Sequence, residues 1–117
     1  MCSFLVTNIL DFILEYVNFF LKFRGPDLTN DIIFKQFRFI HNLLNITGEI
    51  SPQPFISDDK NIVAIFNGEI YNHKEFGNYK SDGYCLLDAY YKYGDNFIKF
   101  LDGEFAVTLF DFEKNII

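Results

Sequence analysis

The sequence predicts a layered α/β or α+β fold, and three observations lead there. Runs such as "NIVAIFN" at 61–67 and "EFAVTLFDF" at 104–112 are apolar at successive positions, as in strands covered on both faces. Other segments repeat their apolar residues at three- and four-residue steps, as on one side of a helix. Sixteen Phe and seven Tyr in 117 residues supply large rings for a core, at a length that suits one domain.

Taken in order, "SFLVT" at 3–7 reads as a short buried strand. From Asn8 to Phe23 the period becomes helical, with Ile9, Phe12, Ile13, Tyr16, Phe20 and Phe23 on one face. Asn8 is the expected N-cap, and Gly25 with Pro26 the stop. Residues 31–46, "DIIFKQFRFIHNLLNI", suit one or two strands. "TGEISPQPF" reads as loop, with Pro52 and Pro54 keeping it extended. "NIVAIFN" is the central strand and "GEIYN" a turn after it. "SDGYCLLDAYYKYG" reads as a helix capped by Ser81 or Asp82 and stopped by Gly94, with Leu86, Leu87, Tyr90 and Tyr91 facing the core. "DNFIKFL" continues helically, and "EFAVTLFDF" is the last strand.

The formal net charge of −6 and the lack of a basic stripe argue against a nucleic-acid partner. Two cysteines, Cys2 and Cys85, make no disulfide framework and fit a reducing compartment. No Cys/His spacing suits a metal, so no metal and no cofactor are expected. The apolar opening is interrupted by Asn8, Asp11, Glu15 and Asn18 and has no basic leader or cleavage site. The expectation is a soluble, cytoplasmic protein without a membrane partner.

Five short pieces stand out together: Cys2 behind Met1, "RGPD" at 24–27, "HNLLNITG" at 41–48, "NGEIYN" at 67–72 and Ser81-Asp82. "LDGEFAVTLFD" at 101–111 follows them. Each has a plain reading. Asn67-Gly68 alone reads as a turn, Ser81-Asp82 as a helix cap, and Cys85 as a buried helix residue. His41 reads as a satisfied core histidine, and the tyrosines at 90, 91 and 93 as helix packing. Trimming of Met1 would leave a thiol and a free α-amine on one residue. That amine, with an ordinary pKa of about 7.7–8.0, can take the proton of a thiol whose ordinary pKa is about 8.5.

In this order and spacing the set resembles the glutaminase domain of class II glutamine amidotransferases, the asparagine synthetase branch most closely, across nearly the whole chain. The resemblance implies an α+β, four-layer αββα sandwich of the N-terminal-nucleophile hydrolase type, partial at its C-terminal end. It makes residues 1–117 an incomplete glutaminase domain with no synthetase domain. It implies glutamine as substrate, and an ATP-dependent synthetase domain or subunit as the consumer of the ammonia. Cys2 would be the nucleophile. Asn67 and the N–H of Gly68 would form the oxyanion hole. Asp82, helped by Glu69, would accept the substrate's α-amino group. Arg24 is expected beside the nucleophile.

The pattern also departs from the family. Leu43 stands where relatives have an arginine that grips the α-carboxylate of glutamine; losing such a partner costs about 3–5 kcal/mol. On a regular strand Arg38 faces away from position 43, so Arg24 is the better surrogate. Ser3, Asn45 and Tyr84 replace a frequent Gly, Ser and Glu, and the Ser-Gly-Gly loop of the ATP-using domain is absent. These departures motivate two alternatives: a non-catalytic binding relative, or a repurposed site taking an amide without that carboxylate.

Overall fold

The computed structural model describes residues 1–46 and 49–117. Thr47 and Gly48, which close the "HNLLNITG" piece and open the expected loop, lie outside the described residues. The chain is α+β, with two antiparallel three-stranded sheets and few helices. It forms two compact units, Met1–Gln53 and Pro54–Ile117.

The first unit is the sheet β1-β3-β2, from β1 (Ser3–Thr7), β2 (Leu28–Phe34) and β3 (Phe37–Leu43). Strands β2 and β3 form a hairpin that closes at the Phe34–Phe37 pair, with Lys35 in the left-handed region at φ 53°. The "one or two strands" of residues 31–46 are thus β3 and most of β2.

The helix expected from Asn8 to Phe23 does not form as one element. Only α1 (Leu14–Val17) and a 3₁₀ turn (Leu21–Arg24) are helical, and Ile13, not Asn8, precedes α1. The cause is tertiary. The Arg38 guanidinium donates to the carbonyls of Leu10 and Phe12 at 3.0 and 3.3 Å and lies 4.1 Å from the Phe12 ring centroid. A helix starting at Asn8 would need those carbonyls for its own N–H groups. Thr7 Oγ1 also accepts the N–H of Ile9 at 3.0 Å. The expected core face consequently turns outward, and only Phe12 of its six residues is half-buried.

Burial falls on Asn18 instead. Its side-chain amide exchanges two 2.8 Å hydrogen bonds with that of Asn42 on β3. Asn42 Nδ2 also donates to Ser3 Oγ at 3.1 Å, Thr29 Oγ1 donates to Asn42 Oδ1 at 2.8 Å, and Ser3 Oγ donates to the Leu21 carbonyl at 2.7 Å. Gly25, which ends the 3₁₀ turn, presses on the same strand: a Cβ there would stand 2.0 Å from the Asn42 carbonyl oxygen.

The second unit is the sheet β4-β5-β6, from β4 (Phe55–Ile56), β5 (Ile62–Ile70) and β6 (Gly103–Asp111). The apolar run of β5 is central, as expected. Phe55, which closes the piece read as loop, instead pairs with Ala64. The strand does not stop at Asn67. Pairing with β6 continues to Ile70–Gly103, so the first three residues of "GEIYN" are strand and the turn starts at Tyr71.

The expected helix at 81–93 begins as a 3₁₀ turn (Asp82–Tyr84) and continues as α2 (Cys85–Tyr93), which Gly94 ends at φ 58°. Cys85, Leu86, Ala89 and Tyr90 pack into a core with Phe55, Phe66, Ile70 and Phe97. Tyr91 was expected in that core but is exposed, because its hydroxyl donates to Asp59 at 2.9 Å. The continuation "DNFIKFL" is 3₁₀ over Gly94–Phe100. Among the described residues no helix is long and apolar enough to cross a membrane.

Replacing Asn42 by Ala orphans the buried groups of Asn18 and Ser3, so we expect urea denaturation to show a loss of about 2–4 kcal/mol. A loss below about 0.5 kcal/mol would show that the amide network is dispensable.

Candidate active site

The residues singled out in the sequence fall into two groups, one in each unit. In the first unit they gather at the end of the sheet where β1 begins. Cys2 directly precedes β1 and is half-buried. The N–H of Leu44, just past β3, points at Cys2 Sγ at 3.4 Å, and the Leu44 carbonyl lies 3.9 Å from the sulfur. Pairing of Ser3 with Asn42 fixes that approach.

Arg24 is exposed, and its Nε donates to the Cys2 carbonyl at 3.4 Å. It stands there because Gly25 lets its loop approach β3. Asp27 completes the loop: its N–H donates to the Leu43 carbonyl at 3.1 Å, and its carboxylate accepts the N–H of Asn45 at 2.7 Å. "RGPD" therefore ties the Cys2 end of the sheet to the segment after β3.

Leu43 ends β3, half-buried and without a donor in its side chain. Arg38 is committed elsewhere, forking onto both oxygens of Asp31 at 2.8 and 2.7 Å.

His41 departs from its expected reading. It is fully buried, yet neither ring nitrogen has a hydrogen-bond partner among the described residues. Burial pushes its pKa down to about 4, so the ring is neutral.

In the second unit the candidates gather near the end of β5. Asn67 pairs with Ala106 and Gly68 with Phe105. Gly68 has φ 140°, and a Cβ there would lie 2.0 Å from the Glu104 carbonyl oxygen, so no other residue fits. The Asp82 carboxylate accepts the N–H of Ile70 at 2.7 Å, which binds the start of the 3₁₀ turn to this strand. Glu69 is exposed and lies across from Glu104 in the ladder. The neighbourhood is acidic: Glu104 first, then burial, Glu69 and Asp102, raise the pKa of the Tyr71 phenol. Such a field suits an ammonium group.

Sequence reasoning missed three supporting residues. Gly83 packs under the rings of Phe66 and Phe55, where a Cβ would come within 2.2 and 2.5 Å, and this seats Asp82. Asn72 braces the turn after β5, donating to the Phe100 carbonyl at 2.9 Å and accepting the N–H of Asp102 at 2.8 Å. Leu44 faces the thiol with main-chain groups, which no side-chain pattern signals. Gly83 and Asn72 were visible as the residues that follow Asp82 and close "NGEIYN". Among the described residues no group of three or more His, Cys, Asp or Glu could hold a metal.

Comparison with known proteins agrees with the motifs. The family described as glutamine amidotransferase domain matches residues 3–117. A probable glutamine-hydrolysing asparagine synthetase of Schizosaccharomyces pombe is 39% identical over 105 residues, covering 81% of this chain and 19% of the relative. Asparagine synthetase 2 of Oryza sativa subsp. japonica is 37% identical over 100 residues, covering 78% and 17%. Asparagine synthetase 1 of Saccharomyces cerevisiae is 36% identical over 106 residues, covering 83% and 18%. The chain thus spans less than a fifth of the length of these relatives.

The pKa of His41 leads to a pH dependence. Above about pH 6.5 the ring is neutral both folded and unfolded. Between 6.5 and about 4 the unfolded chain binds a proton that the fold excludes, so stability falls as pH falls through that window. Relative to a His41→Leu variant, we expect wild type to lose about 2 kcal/mol of unfolding free energy between pH 6.5 and 5. Parallel pH profiles of the two proteins would refute this.

Proposed function

Because the chain belongs to the class II glutamine amidotransferase family, in its asparagine synthetase branch, we propose that it hydrolyses the side-chain amide of glutamine and delivers ammonia to a synthetase. The observation that carries this reading is the family match over residues 3–117, with a half-buried thiol at Cys2 and Arg24 against its main chain. In this reading Met1 is removed and the fold is the four-layer αββα sandwich type of N-terminal-nucleophile hydrolases. Residues 1–117 act as a glutaminase domain in the cytoplasm.

The reaction follows from the residues. The freed α-amine of Cys2 takes the thiol proton, and the thiolate adds to the amide carbon. The oxyanion receives hydrogen bonds from the Asn67 amide and the Gly68 N–H. Collapse breaks the C–N bond, and the amine's proton goes to the leaving group, releasing ammonia and leaving a thioester. Water, deprotonated by the same amine, adds to the thioester, and C–S cleavage gives glutamate and restores the thiol. Asp82 and Glu69 accept hydrogen bonds from the substrate ammonium, consistent with the acidic end of β5. The ammonia passes to an ATP-dependent synthetase domain or subunit that activates the acceptor.

Incubation with glutamine is expected to yield glutamate, with none from Cys2→Ala and a hundredfold to thousandfold slower rate from Asn67→Ala. Cys2-independent glutamate, or none from folded wild type, would overturn the assignment.

Leu43 favours a second reading, in which the site binds or hydrolyses an amide that lacks the α-carboxylate. Leu43 offers no donor, and Arg38 is held by Asp31. A Leu43→Arg variant is expected to lower KM for glutamine at least tenfold with little change in kcat. An unchanged KM would instead favour the repurposed site.

A further inference from the structure

Asp27 grips the main chain on both sides of Leu44. Its N–H donates to the Leu43 carbonyl at 3.1 Å, and its carboxylate accepts the N–H of Asn45 at 2.7 Å. These two groups belong to the two peptide units that flank Leu44. A trans peptide is planar, and its C=O and N–H point to opposite sides. Holding the Leu43 carbonyl toward Asp27 therefore turns the Leu44 N–H away from it, and holding the Asn45 N–H does the same to the Leu44 carbonyl. Both outward groups meet one atom: the Leu44 N–H reaches Cys2 Sγ at 3.4 Å, and the Leu44 carbonyl lies 3.9 Å from it. The loop that carries Asp27 has no slack. A Cβ on Gly25 would come within 2.0 Å of the Asn42 carbonyl oxygen and 2.8 Å of the Leu43 carbonyl carbon. Pro26 then fixes φ directly before Asp27.

We propose that Asp27 is a positioning residue for the nucleophile: it acts through the main chain of Leu44 to give the Cys2 sulfur a donor and an acceptor of fixed direction. The two groups suit the two states of that sulfur. As a thiol it donates its S–H to the Leu44 carbonyl. Once the α-amine of Cys2 has taken the proton, the thiolate keeps the Leu44 N–H, and a hydrogen bond to a charged acceptor is stronger than one to a neutral acceptor. The same N–H fixes the direction from which the sulfur adds to an amide carbon, and a misplacement of about 1 Å there slows reaction severely. Asp27 is exposed and bonds the chain, not the sulfur, so its part is positioning alone. The role rests on Cys2 being the nucleophile of the proposed glutaminase reaction, while the grip on the thiol is measurable without glutamine.

Alkylation of the full chain by iodoacetamide at neutral pH, read by peptide mass spectrometry, tests it, with the buried Cys85 as the check on folding. Asp27→Ala releases the Asn45 N–H and is expected to slow alkylation of Cys2 about tenfold. Asp27→Asn keeps an acceptor oxygen and is expected to stay within about threefold of wild type. Asp58→Ala removes an exposed acid elsewhere and is expected to change nothing. Leu44→Pro deletes the donor itself and is expected to match Asp27→Ala. The double variant is then no slower than either single one, because both changes remove the same bond. In glutamine turnover Asp27→Ala is expected to lower kcat about tenfold and to leave KM within about twofold. An unchanged or faster alkylation rate in folded Asp27→Ala overturns the proposal. So does an Asp27→Asn variant as slow as Asp27→Ala, or losses that multiply in the double variant. If Leu44→Pro does not fold, the two Asp27 variants decide the matter between them. If wild type yields no glutamate while the alkylation rates fall as expected, the glutaminase reading fails and the grip of Asp27 on the thiol stands.

Discussion

The side-chain amide of Asn42 is the constraint on which the first unit depends. It sits in the central strand, fully buried, and spends both N–H groups and its oxygen on three other elements. Through Ser3 it reaches β1, through Thr29 it reaches β2, and through Asn18 it anchors the segment that crosses the sheet. Buried amides are costly unless satisfied, and satisfied ones fix a single arrangement. Here that arrangement puts the start of β1 beside the end of β3, and so puts the Cys2 thiol against Leu44.

A second constraint is close approach of main chain to main chain, and glycine meets it in both units. Gly25 lets the "RGPD" loop touch β3, and Gly68 lets β5 run hard against β6 at Glu104. The consequence is chemical as well as steric. Arg24 comes to the Cys2 carbonyl, and the N–H groups near the end of β5 come into the field of Asp82, Glu69 and Glu104. Cation and thiol thus lie in one unit, and the acids suited to an ammonium group in the other. Leu43, at the end of β3 near Cys2, offers a substrate carboxylate no polar side-chain atom.

Much of this was legible in the residues, for physical reasons that differ by element. The strands at 3–7, 61–67 and 104–112 announced themselves because continuous apolar runs have few other places to go. Gly94 ended its helix as read. The segment from Asn8 to Phe23 misled because its period was helical while its hydrogen bonds were claimed by Arg38, 26 and 28 residues further on. Local pattern carries no signal of such a partner. The polar Asn18, which interrupts that pattern, was the better clue to what is buried. The length of β5 was underestimated because "GEI" looks like a turn unless its pairing with β6 is known. The candidate site residues stand out only through their joint resemblance to a family; singly, Asn67-Gly68 and Ser81-Asp82 carry no more than turn and cap.

The central claim is that the thiol of Cys2, freed of Met1, is the group that attacks an amide carbonyl. A diazoketone analogue of glutamine would alkylate such a thiol, and intact-mass and peptide mass spectrometry would read the result directly. The account predicts one adduct per chain, on Cys2, in the fraction lacking Met1, suppressed by excess glutamine. Labelling of Cys85, labelling indifferent to glutamine, or no adduct on chains that have lost Met1 would contradict it.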